Sequence, residues 1–305
     1  MSSTTEAKPL PELPKNGLRQ RSGWRSLWRS LITAKVPLAG LMVVLLMAIV
    51  SVAAPVLSPY EANEGDITVR LKPPFWMPGA VPGHPLGTDE IGRDILTRLM
   101  YGGRIAFGVG LATTTLTTLI GVSLGLLSGY YGKVMDEVIM RLGDVLLSFP
   151  FILLCMVTVL MLGPGLRNII LVLGFFGWVG FARVVRGETL SLREKEFVEA
   201  ARVTGCSDLR ILYKHILPNL APSIIVVATF VMASVIIAEA TLSFLGLGIP
   251  PAVPSWGGML NIGRNYMRGA PWLALFPGLL LLLLVLSLNL LGDWLRDYLD
   301  PRLRY

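Results

Sequence analysis

The sequence predicts an all-α membrane protein with six transmembrane helices and both termini cytoplasmic, and three observations lead there. Hydrophobic residues make up 53% of the 305-residue chain and charged residues only 15%, well below the roughly 25% usual in soluble domains. Six apolar runs approach the roughly 20 residues that carry a helix across a bilayer. They are too long and continuous for barrel strands, and backbone inside lipid must satisfy its own hydrogen bonds, so the spans are helical. The 27 Lys and Arg residues divide nineteen to eight between the two sets of loops. The richer side, with both tails and the stretch 186–219, is the cytoplasmic one.

Residues 1–35 form a basic tail in which Trp24 and Trp28 sit four apart, which predicts an interfacial helix leading into the bilayer. The first span covers about 36–57. Its SVAAP end resembles a signal-cleavage site, but the run begins too late and is too long for a signal peptide, so the span is expected to remain. An extracytoplasmic insertion, 58–104, follows. There Thr88 is placed to cap a short helix, with Asp89 and Glu90 in its first turn and Asp89–Arg93 and Asp94–Arg98 spaced i,i+4; a solvated surface helix accounts for that pattern. The second span, about 105–128, is dense in Gly, Ser and Thr, which permit close helix contact. The third, about 138–162, carries Arg141 and Asp144 three apart. Charges there are expensive in lipid, so they are expected to pair with each other or to face the bundle interior or a membrane boundary. The fourth span covers about 169–185. The fifth, about 220–242, contains Glu239, and the sixth covers about 273–291 after a Gly/Pro-rich outer loop. Residues 36–305 read as one transmembrane domain without an internal repeat.

The net charge of +7 is dispersed over the loops, so it reports topology and not nucleic-acid binding. No phosphate-cradling glycine loop is present: before Gly132-Lys133, Leu127 stands where the first glycine belongs, and Val134 follows where the hydroxyl belongs. His84 and His215 fall on opposite predicted sides, which supports neither a metal site nor a proton relay. Cys155 and Cys206 have no ligand or disulfide spacing. The sequence thus predicts no catalytic residue, no metal and no cofactor bound by this chain. Energy for uphill transport would come through a partner.

The stretch 186–219 suits such a contact. Phe197, Ala200, Ala201 and Thr204 share a helical face, and the two alanines allow close approach. Gly205 is placed to end that helix in the left-handed conformation. Ser207 is placed to cap a second helix, with Leu209, Leu212 and Ile216 as its apolar stripe and Asp208, Arg210 and Lys214 around it; Pro218 closes it before the fifth span. Periodicity alone serves equally a helix docked in a protein groove and one resting on lipid headgroups.

The same stretch resembles the EAA loop of bacterial ABC importer permeases. Glu199-Ala200-Ala201 is followed by Gly205 after three residues and by Leu217-Pro218 at the matching distance, with His215 in the first isoleucine position of the pattern. HPLGTDEIGRD (84–94), SFLGLG with PPAVPSWGGML (243–260) and the terminal LGDWLRDYLDPRL are similar to the dipeptide/oligopeptide permease subfamily, in its C-type subunit, over nearly everything after Val36.

The resemblance implies a type I ABC importer permease in the inner membrane. Its partners would be a second, different permease subunit, two cytoplasmic ATPases that bind ATP and Mg, and an extracytoplasmic solute-binding protein. It places Glu199, Ala200, Ala201, Gly205, Leu217 and Pro218 at the ATPase contact, with Phe197, Ser207, Asp208, Arg210 and His215 at its edge. Thr88, Asp89, Arg93, Asp94, Pro250, Pro251 and Trp256 would meet the binding protein or shape the outer vestibule. Arg141, Asp144 and Glu239 are the intramembrane polar candidates, Glu239 near the outer end of the pathway. Dipeptides or short peptides are the expected cargo, with glutathione, a nickel chelate, an opine or an oligosaccharide as alternatives on the same architecture. A secondary transporter or channel would call for a deep ionisable pair and internal symmetry, neither of which is visible. A scaffold without a pathway would leave the Thr-rich second span and the long outer loops unexplained.

Overall fold

The computed structural model describes residues 30–299. Its principal helices are α1 (Lys35–Val52), α2 (Ile95–Tyr131), α3 (Lys133–Leu147), α4 (Phe151–Leu162), α5 (Leu166–Arg193), α6 (Glu196–Val203), α7 (Asp208–Phe244), α8 (Trp256–Gly263) and α9 (Trp272–Leu299). Helices α1, α2, α5, α7 and α9 are each long and apolar enough to cross a membrane, and α3 with α4 adds a pair bent by 85°. Of the tail 1–35, in which an interfacial helix is expected, residues 1–29 lie outside the described residues and 30–33 are helical; the end of the terminal motif, 300–305, also lies outside them.

Helix α2 is the axis. It begins where the Asp94 carboxylate accepts the Thr97 N–H at 2.8 Å and ends at Gly132, whose φ of +62° opens the turn into α3. At 1.5 Å per residue its 37 residues span about 55 Å, longer than a hydrocarbon core of about 30 Å. Gly121, Gly125 and Gly129 make one face of it, and that face lies directly against Phe181, Ala182 with Val185, and Thr189 of α5. A Cβ at Gly125 would stand 2.7 Å from the Ala182 carbonyl oxygen, so the two backbones approach as only glycine permits. Partners rise together along both chains, as Thr117 with Gly174 also shows, so α2 and α5 run parallel. Helix α7 lies antiparallel on α2, with Gly110 beside Ile236; α9 lies on α7, with Gly292 beside Phe230; and α1 lies on α9, with Gly40 beside Ser287.

The structure corrects several expectations. The third span is not one helix: it breaks at Ser148–Pro150, because Pro150 has no N–H to donate and disfavours helical backbone at Phe149. Arg141 and Asp144 do not pair with each other. Arg141 donates to Glu137 at 2.6 Å and Arg183 donates to Asp144 at 2.5 Å, all on the surface of the chain. Residues 88–94 form no solvated helix. Thr88 and Asp94 make an isolated antiparallel bridge, and the Thr88 hydroxyl donates to the Val69 carbonyl and accepts the Lys72 N–H at 2.9 Å. Asp89 receives Arg93 Nε at 2.6 Å and lies 3.7 Å from Arg98 Nε, whereas Asp94 faces His84 Nδ1 at 3.0 Å in place of Arg98. These carboxylates and guanidiniums are buried, so the polar residues form an internal knot that fixes the insertion on the start of α2. Trp256 is buried as well and donates to the Leu99 carbonyl at 2.9 Å.

Candidate functional site

At the opposite end of α2 the chain builds a rigid platform. Arg186 of α5 grips Asp136 of α3 through two hydrogen bonds of 2.5 and 2.6 Å, and the Ser128 hydroxyl donates to the same carboxylate. Arg193 donates to the Gly129 carbonyl at 3.0 Å, satisfying an acceptor that the helix end leaves free. Tyr130 donates to Asp208 at 2.7 Å, and the Arg202 guanidinium stands 5.4 Å above its ring. The end of α5 and the start of α7 are therefore each tied directly to the end of α2.

On this platform sits α6. Its buried side is Val198 and Ala201, which join one apolar cluster with Leu126, Tyr130, Phe181, Ile211, Leu212 and Ile216. Its end is a two-bond left-handed turn: Cys206 N–H donates to the Ala201 carbonyl at 3.0 Å and Gly205 N–H to the Arg202 carbonyl at 2.9 Å, with Gly205 at φ +81°. That is the Schellman arrangement, which favours a residue without Cβ at this position. Glu196 and Glu199 occupy the first turn, where the helix dipole favours negative charge.

The chain then enters α7, and here the structure departs from expectation three times. Ser207 holds the cap position but its side chain makes no capping bond. The second helix does not stop at Pro218; it runs on as α7 through a wide turn, Leu212–Ile216, in which Leu217 N–H donates to the Leu212 carbonyl. The wider turn absorbs the ring and the missing N–H of Pro218. His215 lies in this turn, and its carbonyl accepts Asn219 Nδ2 at 2.6 Å. The buried stripe is Ile211, Leu212 and Ile216, and Leu209 is exposed.

Of the residues singled out from sequence, Glu199, Ala200, Gly205, Ser207, Arg210 and Pro218 face outward with Phe197, Ala201 is buried beneath them, and Leu217 is half-buried. The structure adds Val203 (82% exposed), Leu209 (62%) and Tyr213 (65%) to the same surface. Bulky apolar side chains so exposed beside charged neighbours make this stretch a candidate contact face. The helical period in the sequence counts Leu209 in the buried stripe and passes over Val203 and Tyr213; Leu209 and Tyr213 are four apart, on the exposed side. At the other end of the bundle Thr88, Asp89, Arg93, Asp94 and Trp256 lie inside the chain as framework, and Pro250 and Pro251 are on the surface. Glu239 is buried and accepts from Ser243 at 2.7 Å, and Ser243 in turn accepts the Ile249 N–H.

Residues 121–305 match the family described as binding-protein-dependent transport system inner membrane component, and residues 22–74 match the N-terminal TM domain of oligopeptide transport permease C. The chain is 39% identical over 307 residues to the dipeptide transport system permease protein DppC of Alkalihalophilus pseudofirmus, covering 99% of each. It is 40% identical to the DppC of Haemophilus influenzae, covering 97% of this chain and 98% of the relative. It is 42% identical to the glutathione transport system permease protein GsiD of Pectobacterium atrosepticum, covering 93% of each. Among solved structures, an inward-facing MetNI methionine ABC transporter matches with a TM-score of 0.54 at 19% identity, over 68% of this chain and 98% of that one. The last likeness is one of fold.

Proposed function

The chain belongs to the binding-protein-dependent transport inner membrane components as a dipeptide/oligopeptide ABC permease, and from that premise we propose how it works. It is the permease subunit of a peptide importer and shares the type I importer fold. We place it in the inner membrane, non-catalytic itself, beside a second permease subunit. Two cytoplasmic ATPases bind ATP and Mg for it, and an extracytoplasmic solute-binding protein delivers dipeptides or short peptides; glutathione is the alternative that a relative's name favours. The domain from residue 36 onward crosses six times with both termini cytoplasmic. Six crossings are supported by the parallel run of α2 and α5: the chain leaves α2 at Tyr131 and enters α5 where Ile169 packs beside Val109, so it has to return across the bilayer, and only the bent pair α3–α4 lies between.

The observation that carries the mechanism is the exposed face on α6 and the start of α7, held to the end of α2 by Tyr130–Asp208, while Arg193 ties the end of α5 to the same place. Glu199, Ala200 and Gly205, with the apolar Phe197, Val203, Leu209 and Tyr213, dock in a cleft of the ATPase. Closure of the ATPase pair then moves α7 as a lever, because the docking face and the transmembrane helix are one continuous element. Val203→Asp and Leu209→Asp test this in the complete importer. Both are expected to leave membrane insertion and thermal midpoint unchanged while the ATPases no longer co-purify and uptake stops. Normal co-purification and uptake would exclude the face.

A further inference from the structure

Between α7 and α9 runs a groove of about 610 Å³ whose walls include Ile237, Thr241 and Phe244 of α7, Leu260 of α8, and Leu282 and Asn289 of α9. Its size is that of a small-molecule site, and its make-up is the usual one, apolar walls with a few polar groups. Asn289 stands 17 residues into α9, deep in an apolar span, and its amide has no hydrogen-bond partner among the described residues. The Thr241 hydroxyl donates to the Ile237 carbonyl at 2.7 Å and keeps its acceptor capacity. At the end of the groove the exposed Arg264 stands 5.2 Å above the Phe244 ring and has no carboxylate partner among the described residues.

We propose that this groove holds a short peptide in transit, with the Asn289 amide pairing with a peptide group of the cargo and Arg264 meeting its terminal carboxylate. The proposal rests on the peptide-importer assignment above. A side-chain amide presents an acceptor and two donors, which match the C=O and N–H of a peptide unit. An acyl chain offers neither at that depth, and an unpaired amide there would be costly. Apolar walls accept cargo side chains of many shapes without binding any one strongly, which lets the cargo leave. The groove is also where the lever ends: α7 runs unbroken from Asp208, at the docking face, to Phe244 at the groove. A tilt imposed at one end reshapes the wall at the other.

The test uses the complete importer in proteoliposomes with its binding protein, ATP and radiolabelled tri-alanine as probe. Asn289→Leu is expected to lower tri-alanine uptake at least tenfold while ATPase docking and binding-protein-stimulated ATP hydrolysis are kept, and Asn289→Gln to restore most of it. With Cys155 and Cys206 replaced by Ser, Asn289→Cys is expected to react with a water-soluble thiosulfonate and to be protected at least fivefold by tri-alanine. Uptake at the parent rate in Asn289→Leu overturns the proposal. So does reaction of Asn289→Cys only with a membrane-soluble maleimide, which indicates an acyl chain in the groove, or its cross-linking to the second permease subunit, which indicates a partner helix there. A parent importer that takes up no tri-alanine strikes instead at the peptide assignment beneath it.

Discussion

Replacing Gly205 separates what the turn needs from what the partner needs. A Cβ at this position would meet nothing within 4 Å in the chain itself, so the cost to the free permease is backbone strain alone. At φ +81° that strain is about 1–2 kcal/mol for an ordinary L-residue, and less for Asn, which tolerates the left-handed region. At about 1.4 kcal/mol per tenfold, Gly205→Ala should weaken ATPase docking roughly 5- to 30-fold by disfavouring the docking-competent turn. Gly205→Asn should recover much of that loss. Gly205→Leu carries the same strain as Ala, so any further loss measures the closeness of the ATPase surface. The assay is titration of detergent-solubilised permease pair with fluorescently labelled ATPase, alongside peptide uptake. Equal docking by Gly, Ala and Asn at this position would refute the requirement for the left-handed turn.

Three further outcomes follow from other parts of the molecule. Asp94→Ala removes the α2 cap and the partner of His84 together; it should cost about 2 kcal/mol and lower the thermal midpoint by several degrees, whereas Asn, an equally good cap, should cost less. Gly125→Ala places its Cβ 2.7 Å from the Ala182 carbonyl oxygen, whereas Gly180→Ala meets open space; the first should destabilise by about 1–3 kcal/mol and the second by no more than about 0.5 kcal/mol, read as thermal midpoints of the purified protein. The Asp66 carboxyl, outside the spans, is held below its ordinary value of 3.8 chiefly by the Thr68 hydroxyl and then by the Thr68 N–H. A depressed carboxylate contributes stability that is fully present above the unfolded value and fades as pH falls through the folded one. The protection of the 60–72 segment against hydrogen exchange, taken relative to the intrinsic amide rate at each pH, should therefore fall below about pH 4, with the acid dependence flattened in Thr68→Val.

Much of the architecture is legible in the sequence because it is local. Apolar run length gives the long apolar helices, and Glu199-Ala200-Ala201 with Gly205 gives α6 and its left-handed end, since helix period and a left-handed turn are set within ten residues. What the sequence misleads about is set by distant contacts. The 88–98 segment has the spacing of a salt-bridged helix, yet Thr88 is engaged by Val69 and Lys72, 16 to 19 residues away, and Arg98 by Ala62, 36 residues away. Those bonds pull the segment into a knot and hide its charges. The break at Pro150 was visible in principle, since proline inside an apolar run signals a kink, but its angle depends on how α4 packs against α2 and α5. Asn289 carried no periodic signal; only the pairing of α7 with α9 shows that it lines a groove.

The parallel alliance of α2 and α5 also sets a timetable for biosynthesis. Gly125 meets Ala182 and Val185, about 60 residues later in the chain, so at 5–20 residues per second its partner emerges roughly 3 to 12 s after it. During that interval the glycine face of α2 stands bare in the lipid, able to pair with the small-residue face of any other helix leaving the insertion machinery. Helices α3 and α4 have to be made before the proper partner can arrive. The 85° break thus falls within the stretch made while that face still waits for α5.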